Sequence, residues 1–219
     1  MSWAQPGSPA QGILRGNFQF LAQQYQEDSL INATVPPAKA ALNGFGNFTY
    51  TYGKVTAGWR IETYQNAIQG YSAQNRYKGT GIGNRYLSYA DSTLEITIGN
   101  YYEQFGNGLT LRTYWEPNLG IDNALDGARI VFRPHRSTTI KGIYGRQRLD
   151  FNNAIIHADG IVRGADAEVR INDLNPKWNE LKTNITIGGN FVSKYQAGGN
   201  LFQDSLVFVL PDNVAMYSG

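Results

Sequence analysis

The sequence predicts an all-β fold: an antiparallel up-and-down transmembrane β-barrel, or the N-terminal part of one. Three observations predict it. Apolar and polar residues alternate with period two through most of the chain, the pattern of strands whose two faces meet different surroundings. The connections between these runs are alternately long and short, which gathers long loops at one end and short turns at the other. The composition holds 25 glycines and 14 tyrosines with only 16% charged residues, against about a quarter in ordinary globular proteins.

The elements follow in order. Ile13 to Tyr25 alternates through Asn17, Phe18, Gln19 and Phe20, and a polar loop broken by Pro36-Pro37 follows. Leu42 to Tyr52 is the clearest strand. Leu42, Gly44, Gly46, Phe48, Tyr50 and Tyr52 share one face; Asn43, Asn47, Thr49 and Thr51 share the other, with Phe45 the exception. Gly53-Lys54 is a two-residue hairpin turn. The return strand sets Val55, Ala57, Trp59 and Ile61 against Thr56, Gly58, Arg60 and Glu62. After a loop over 66–79, strands are expected at Thr80–Tyr89 and Thr93–Tyr101, joined by a turn at 90–92. Further strands are expected at Ala128–Arg133, Thr138–Leu149, Ile161–Ile171 and Asn184–Tyr195. Pro134 to Ser137 reads as a turn, 173–182 as an intermediate connection, and 196–211 as a Gly/Gln/Asn-rich loop. The sum is about ten strands in one β-barrel domain over 13–219.

The ends carry their own expectations. Met1 to Pro6 is similar to the tail of a secretory signal cut after Ala4. Residues 1–12 are therefore expected to be a residual signal or a disordered N-terminus. Ala215 to Gly219 reads as a strand that begins and stops. The barrel domain is accordingly expected to be truncated at its C-terminus.

Composition also excludes functions. Nineteen basic and 17 acidic residues give a net charge of +2, which is no electrostatic footprint for nucleic acid. There are no cysteines, hence no disulfide and no thiolate metal site. No apolar run is long enough for a membrane helix, and a mean hydropathy of −0.38 is ordinary for a barrel, whose strands alternate. His135 and His157 are the only histidines, and neither has metal-ligand spacing. Nothing marks a Ser-His-acid set. No catalytic residue, metal or cofactor is expected.

The stretch from Gly99 to Arg129 is the longest that does not reduce to a strand and a turn. Its middle, 109–115, reads as extended, and its glycines, aromatics and mixed charges suit a loop packed inside something. The 102–127 segment is expected to fold into the lumen, with Glu103, Arg112, Glu116 and Asp122 pairing wall charges. Burying a bare Arg or Glu in hydrocarbon is costly, so Arg60, Glu62, Arg85, Glu95, Arg129, Asp166, Glu168 and Arg170 are expected to face that lumen. They would line a polar passage or form an interior ion-pair network that only stabilises the barrel. Their mixed signs argue against an ion-selective pore. Tyr50, Tyr52, Tyr86, Tyr89, Tyr101 and Tyr102 fall near strand ends, as an aromatic girdle requires.

Tyr102-Glu103-Gln104-Phe105-Gly106-Asn107-Gly108-Leu109, Leu119 through Gly127, Tyr144 through Arg148, Gly160 through Glu168, and Phe191 through Tyr195 together resemble a poorly characterised family of outer-membrane β-barrel proteins from Bacteroidota. The resemblance spans most of the chain from about residue 13. It implies an outer-membrane location and longer relatives, and it carries over no catalytic residue. The expected function is a structural or porin-like transport role. The expected partners are the outer-membrane lipid bilayer and other outer-membrane proteins. A secreted soluble β-sandwich that binds carbohydrate is the alternative, and an outer-membrane hydrolase is the third reading.

Overall fold

The computed structural model describes residues 11–68, 77–175, 177–178, 183–196, 200–203, 206–209 and 213–218. Most of the expected N-terminal segment 1–12 and parts of the expected 66–79, 173–182 and 196–211 connections lie outside the described residues. The strands are β1 (Ile13–Gln24), β2 (Ala40–Tyr52), β3 (Val55–Gln65), β4 (Tyr77–Ala90), β5 (Leu94–Tyr101), β6 (Trp115–Glu116), β7 (Ile121–Asp122), β8 (Leu125–His135), β9 (Thr138–Asn152), β10 (Ile155–His157), β11 (Ile161–Arg170), β12 (Thr186–Tyr195), β13 (Asn200–Gln203), β14 (Leu206–Val209) and β15 (Asn213–Ser218). Helix among the described residues is limited to short 3-10 turns, Pro117–Leu119, Ile171–Leu174 and residues 177–178.

An eleven-stranded sheet dominates. Its order is β1-β2-β3-β4-β5-β8-β9-β11-β12-β15, with β10 folded back on β9. Every neighbour along that path is antiparallel and next in sequence once β10 and the small hairpins β6–β7 and β13–β14 are set aside. Residues 53–54, 91–93 and 136–137 form the short-turn end; 25–39, the 102–124 insertion and 153–160 emerge at the other. One parallel contact, Tyr77 and Lys78 beside Phe151 and Asn152, joins β4 to β9 across the sheet.

Register fixes which side chains share a face, because side chains alternate along a strand. Asn43, Phe45, Arg60, Glu62, Thr97, Arg129, Val131, Lys141, Ile143, Val162, Asp166 and Val192 fall on one side, here called the inner face. Phe18, Phe20, Tyr50, Ile61, Leu87, Ile98, Ile130, Phe132, Tyr144 and Phe191 fall on the other. The two sides invert the usual rule of apolar inside and charged outside. Phe18 is 68% exposed and Ile98 61%, while Glu62 is 0% and Asp166 2% exposed. The inner face also holds apolar packing at two places. Phe45, Tyr64, Ile68, Tyr77 and Phe151 form one cluster; Tyr101, Phe105, Leu111, Leu125, Ile143, Val162 and Val192 form the other. The insertion supplies Phe105 and Leu111 to the second and packs Trp115 on the first.

Several expectations are corrected. The 102–127 segment ends at 124, because β8 starts at Leu125 and pairs with Tyr101. Within it, the extended middle shrinks to the β6–β7 pair and one isolated bridge between Gln104 and Arg112. Pro134 lies inside β8, where pairing with β9 slips between Phe132 and His135; at such an irregularity a missing N–H costs no ladder bond. Part of the expected 196–211 loop is the β13–β14 hairpin. Of the girdle tyrosines, Tyr50, Tyr52 and Tyr89 are exposed beside the short-turn end, whereas Tyr101 is buried. Tyr86 and Tyr102 point to the inner side, where both line a cavity.

Asp91 organises the turn between β4 and β5. Its Oδ1 accepts from the Thr93 and Leu94 backbone N–H groups at 2.9 and 2.8 Å, and its Oδ2 accepts from the Tyr89 hydroxyl at 2.9 Å. The backbone donors of Leu94 and Thr93, then Tyr89, hold its carboxyl well below the ordinary carboxylate range. A carboxyl depressed by folding contributes stability above its unfolded pKa and loses it as pH falls towards the folded value. Asp91→Ala should therefore lower the urea midpoint at neutral pH. The gap from wild type should narrow as pH falls from about 4, and a gap that stays constant through acid would refute this account of the turn.

Candidate functional site

Four charged side chains meet under the insertion. Arg60 and Glu62 are two apart on β3, so both point inward, and Arg60 Nη2 lies 2.7 Å from Glu62 Oε1. Arg148 comes from β9. Its Nη2 and Nη1 reach Glu62 Oε2 and Oε1 at 2.7 and 2.8 Å, a bidentate pair. Asp122, on β7 of the insertion, accepts from Arg148 Nη1 at 2.8 Å and closes the ring by pairing with Arg60. Two cations and two anions cancel. All four are buried, Glu62 and Arg148 at 0% and 2% exposure.

Neutral groups complete the set. Tyr64 donates to Glu62 Oε2 at 2.9 Å, and Tyr102 donates to Asp122 Oδ1 at 2.9 Å. Burial first, then the Asp122 charge, pushes the Tyr102 phenol far above its ordinary value, so it stays a donor. The Arg60 guanidinium lies 4.1 Å from the centre of the Trp115 ring. A bulge in β4 makes room. Arg60 pairs with Asn84 but Ile61 with Ile82, leaving Gly83 as the extra residue. The Gly83 carbonyl accepts from Arg148 Nη1 at 2.8 Å. A Cβ at Gly83 would sit 2.0 Å from the Glu62 carboxyl carbon, so only glycine fits.

A second set ties the insertion to the middle of the sheet. Arg129 on β8 holds Glu103 and Glu95, each at 2.5 Å. Lys141 on β9 lies 3.4 Å from Glu103 and 3.6 Å from Asp166. It also donates to the Gln104 carbonyl at 2.9 Å. Between them the two sets join β3, β4, β5, β8, β9 and β11 to the insertion.

Eight of the twelve residues singled out from sequence thus lie on the inner face or against it: Arg60, Glu62, Glu95, Glu103, Asp122, Arg129, Asp166 and Glu168. Glu168 is half-buried two residues from Asp166 and takes no part in the ion pairs. The other four differ from expectation. Arg85 lies on the exposed face with a 60% exposed side chain, 3.9 Å from Asp126, because the Gly83 bulge reverses the alternation of β4 before it. Arg112 is exposed and stacks over Tyr114 at 5.1 Å; its neighbours Leu111 and Thr113 take the buried positions. Glu116 is spent locally, accepting from Asn118 N at 3.1 Å to cap the 3-10 turn. Arg170 ends β11 with its side chain 62% exposed, 3.4 Å from Asp173.

Sequence reasoning missed Arg148, Lys141, Trp115 and Gly83. Arg146 and Arg148 share a face in a regular strand, yet Arg146 is exposed and Arg148 buried. The β9–β10 register slips at this point, with His157 opposite Arg148 and Ile156 opposite Asp150. Gly83 did leave a signal: Gly79, Gly81 and Gly83 in one strand mark a close backbone approach. Elsewhere, His135 Nδ1 lies 2.7 Å from Ser137 Oγ within one turn, and His157 Nε2 lies 2.9 Å from Asp126 Oδ2 on the exposed face. Among the described residues no carboxylate joins the His135–Ser137 pair, and no group of three His, Cys, Asp or Glu side chains has metal-site geometry.

A family of unknown function, DUF6029, matches residues 3–219. The chain belongs to the DUF6029 family. No curated protein matches it.

Removing one member of a buried, compensated set strands its partners. Glu62→Gln should destabilise the folded chain by about 3–5 kcal/mol in denaturant titration. The charge-balanced pair Glu62→Gln with Arg148→Gln should recover part of that loss. Gly83→Ala should act like Glu62→Gln without altering any charge. A double variant no better than the single one would mean that the charges are not coupled.

Proposed function

We propose that this chain forms an outer-membrane β-barrel, or the N-terminal part of one, whose 102–124 insertion fills part of the lumen, in a structural or porin-like role. The observation that carries the reading is the inverted sheet. Its exposed face is mainly apolar, from Leu14 and Phe18 on β1 to Phe191 on β12, with Arg85, Asp126, Arg146 and Arg163 as its charged exceptions, while the two ion-pair sets lie on the other face. Hydrocarbon is the surrounding in which that distribution is stable, and a polar interior is what a membrane barrel encloses. Strand length agrees. A membrane-crossing strand needs roughly 9–11 residues, and β2, β3, β4, β8, β9, β11 and β12 have 13, 11, 14, 11, 15, 10 and 10. Tyr50, Tyr52 and Tyr89 beside the short turns suit a girdle at one interface.

In this reading the apolar face meets lipid acyl chains, and the ion pairs anchor the insertion across the passage. The paired charges of both signs favour no ion of one sign. A soluble sandwich buries its apolar faces, the reverse of the arrangement here. A hydrolase of the serine type needs nucleophile, histidine and acid in one line; His135 meets Ser137 and His157 meets Asp126, and among the described residues no hydrogen bonds join all three kinds of group.

Two measurements test the proposal. After detergent extraction, the protein should fractionate with outer membranes and migrate differently on a gel before and after boiling. A water-soluble protein with no heat shift would overturn the reading. In planar bilayers, replacing 104–120 with a short Gly-Ser linker should raise single-channel conductance severalfold. Unchanged conductance in a folded variant would remove the occluding role of the insertion.

A further inference from the structure

Between the insertion and the short-turn end, the inner face holds a cavity of 490 Å³, a volume within the roughly 300–1,000 Å³ of small-molecule sites. Its charged wall residues are already paired: Arg60 with Glu62 and Asp122, and Arg129 with Glu95 and Glu103. A charged ligand would find no uncompensated partner there.

What remains on the wall is uncharged and polar, with aromatic rings. Asn84 and Thr97 are 7% exposed, and their side chains make no hydrogen bond to another described residue. Asn100, 2% exposed, accepts from Arg85 N through Oδ1 at 2.9 Å, while its Nδ2 is buried without a partner among the described residues. Buried amide donors are ordinarily satisfied, but this one is closed off from the cavity, so the unpaired polar groups open to it are those of Asn84 and Thr97. Tyr86 packs over Gly58, where a Cβ would come within 2.3 Å of its ring. The same ring lines the cavity. Trp115 stands on the insertion side, with Arg60 on one of its faces.

We infer that this cavity binds a neutral, polyhydroxylated ligand of mono- or disaccharide size. Sugar rings present C–H faces that pack on aromatic rings, and hydroxyls that both donate and accept. Carboxamides match hydroxyls because each carries donors and an acceptor. Tyr86 is the platform, and Asn84 and Thr97 are the hydroxyl partners. The inference deepens the barrel reading and rests on it for the cavity's place inside a passage.

The test uses the full chain folded in detergent, titrated calorimetrically with maltose, lactose and cellobiose, and with glucose 6-phosphate and glucuronate as charged probes. A neutral disaccharide should bind saturably. Tyr86→Ala and Thr97→Val should weaken it by about tenfold each, the scale of one lost contact or hydrogen bond, with the heat shift retained. Asn84→Leu should act alike, and Thr97→Val, which preserves volume, keeps the test valid if Asn84→Leu fails to fold. A heat-shifting protein that binds none of the three disaccharides, or binds only the charged probes, overturns the inference and leaves the barrel standing. Binding by a water-soluble protein without a heat shift sinks the barrel and keeps the site.

Discussion

The interior depends on charges that must cancel without water. Moving one carboxylate or guanidinium out of water carries an effective cost of several kcal/mol even after relaxation. Arg60, Glu62, Asp122 and Arg148 meet it only together. The bidentate contact between Arg148 and Glu62 satisfies both carboxylate oxygens, and Asp122 Oδ2 pairs with one nitrogen of each arginine. Such a set is weak evidence for added stability, since an apolar replacement is often as good. Its effect is on uniqueness. One position of the insertion brings all four charges into pairs, and Gly83 must be glycine for β4 to pass close enough.

The same alternation that builds this interior builds its opposite. Each inner charge has apolar neighbours one residue away: Trp59 and Ile61 beside Arg60, Ala165 and Ala167 beside Asp166. A strand cannot hide one set without showing the other. The apolar clusters around Phe45 and Phe105 soften the contrast where the insertion docks. Buried aromatics there fill volume that a row of polar side chains would leave open.

The strands were legible where alternation is unbroken. The faces of β2, β3 and β11 follow from parity alone, and so do the inward positions of Arg60, Glu62 and Asp166. Parity fails after a bulge. Arg85 follows Gly83 and turns outward; Arg148 lies at the β9–β10 slip and turns inward. Neither shift has a local propensity behind it, because a bulge is decided by what the two strands must accommodate between them. The insertion was legible as a packed segment from its glycines, aromatics and mixed charges. Its contacts were not. Glu103 and Asp122 reach the sheet while Arg112 and Glu116 do not, and that division follows from the tight turns of β6–β7 and the Gln104–Arg112 bridge.

The residues of the buried ring are far apart along the chain. Arg148 meets Glu62 across 86 positions and Asp122 across 26. Contacts of that kind form late, after much loop-closure entropy has been spent. A partly assembled sheet carrying β3 and β4 but not β9 would hold Arg60 and Glu62 without Arg148. The insertion would then have no complete seat. Seating of the insertion and arrival of β9 are thus coupled events on the folding path. A chain that folded strand by strand would meet its barrier where β9 brings Arg148 to Glu62 and Asp122.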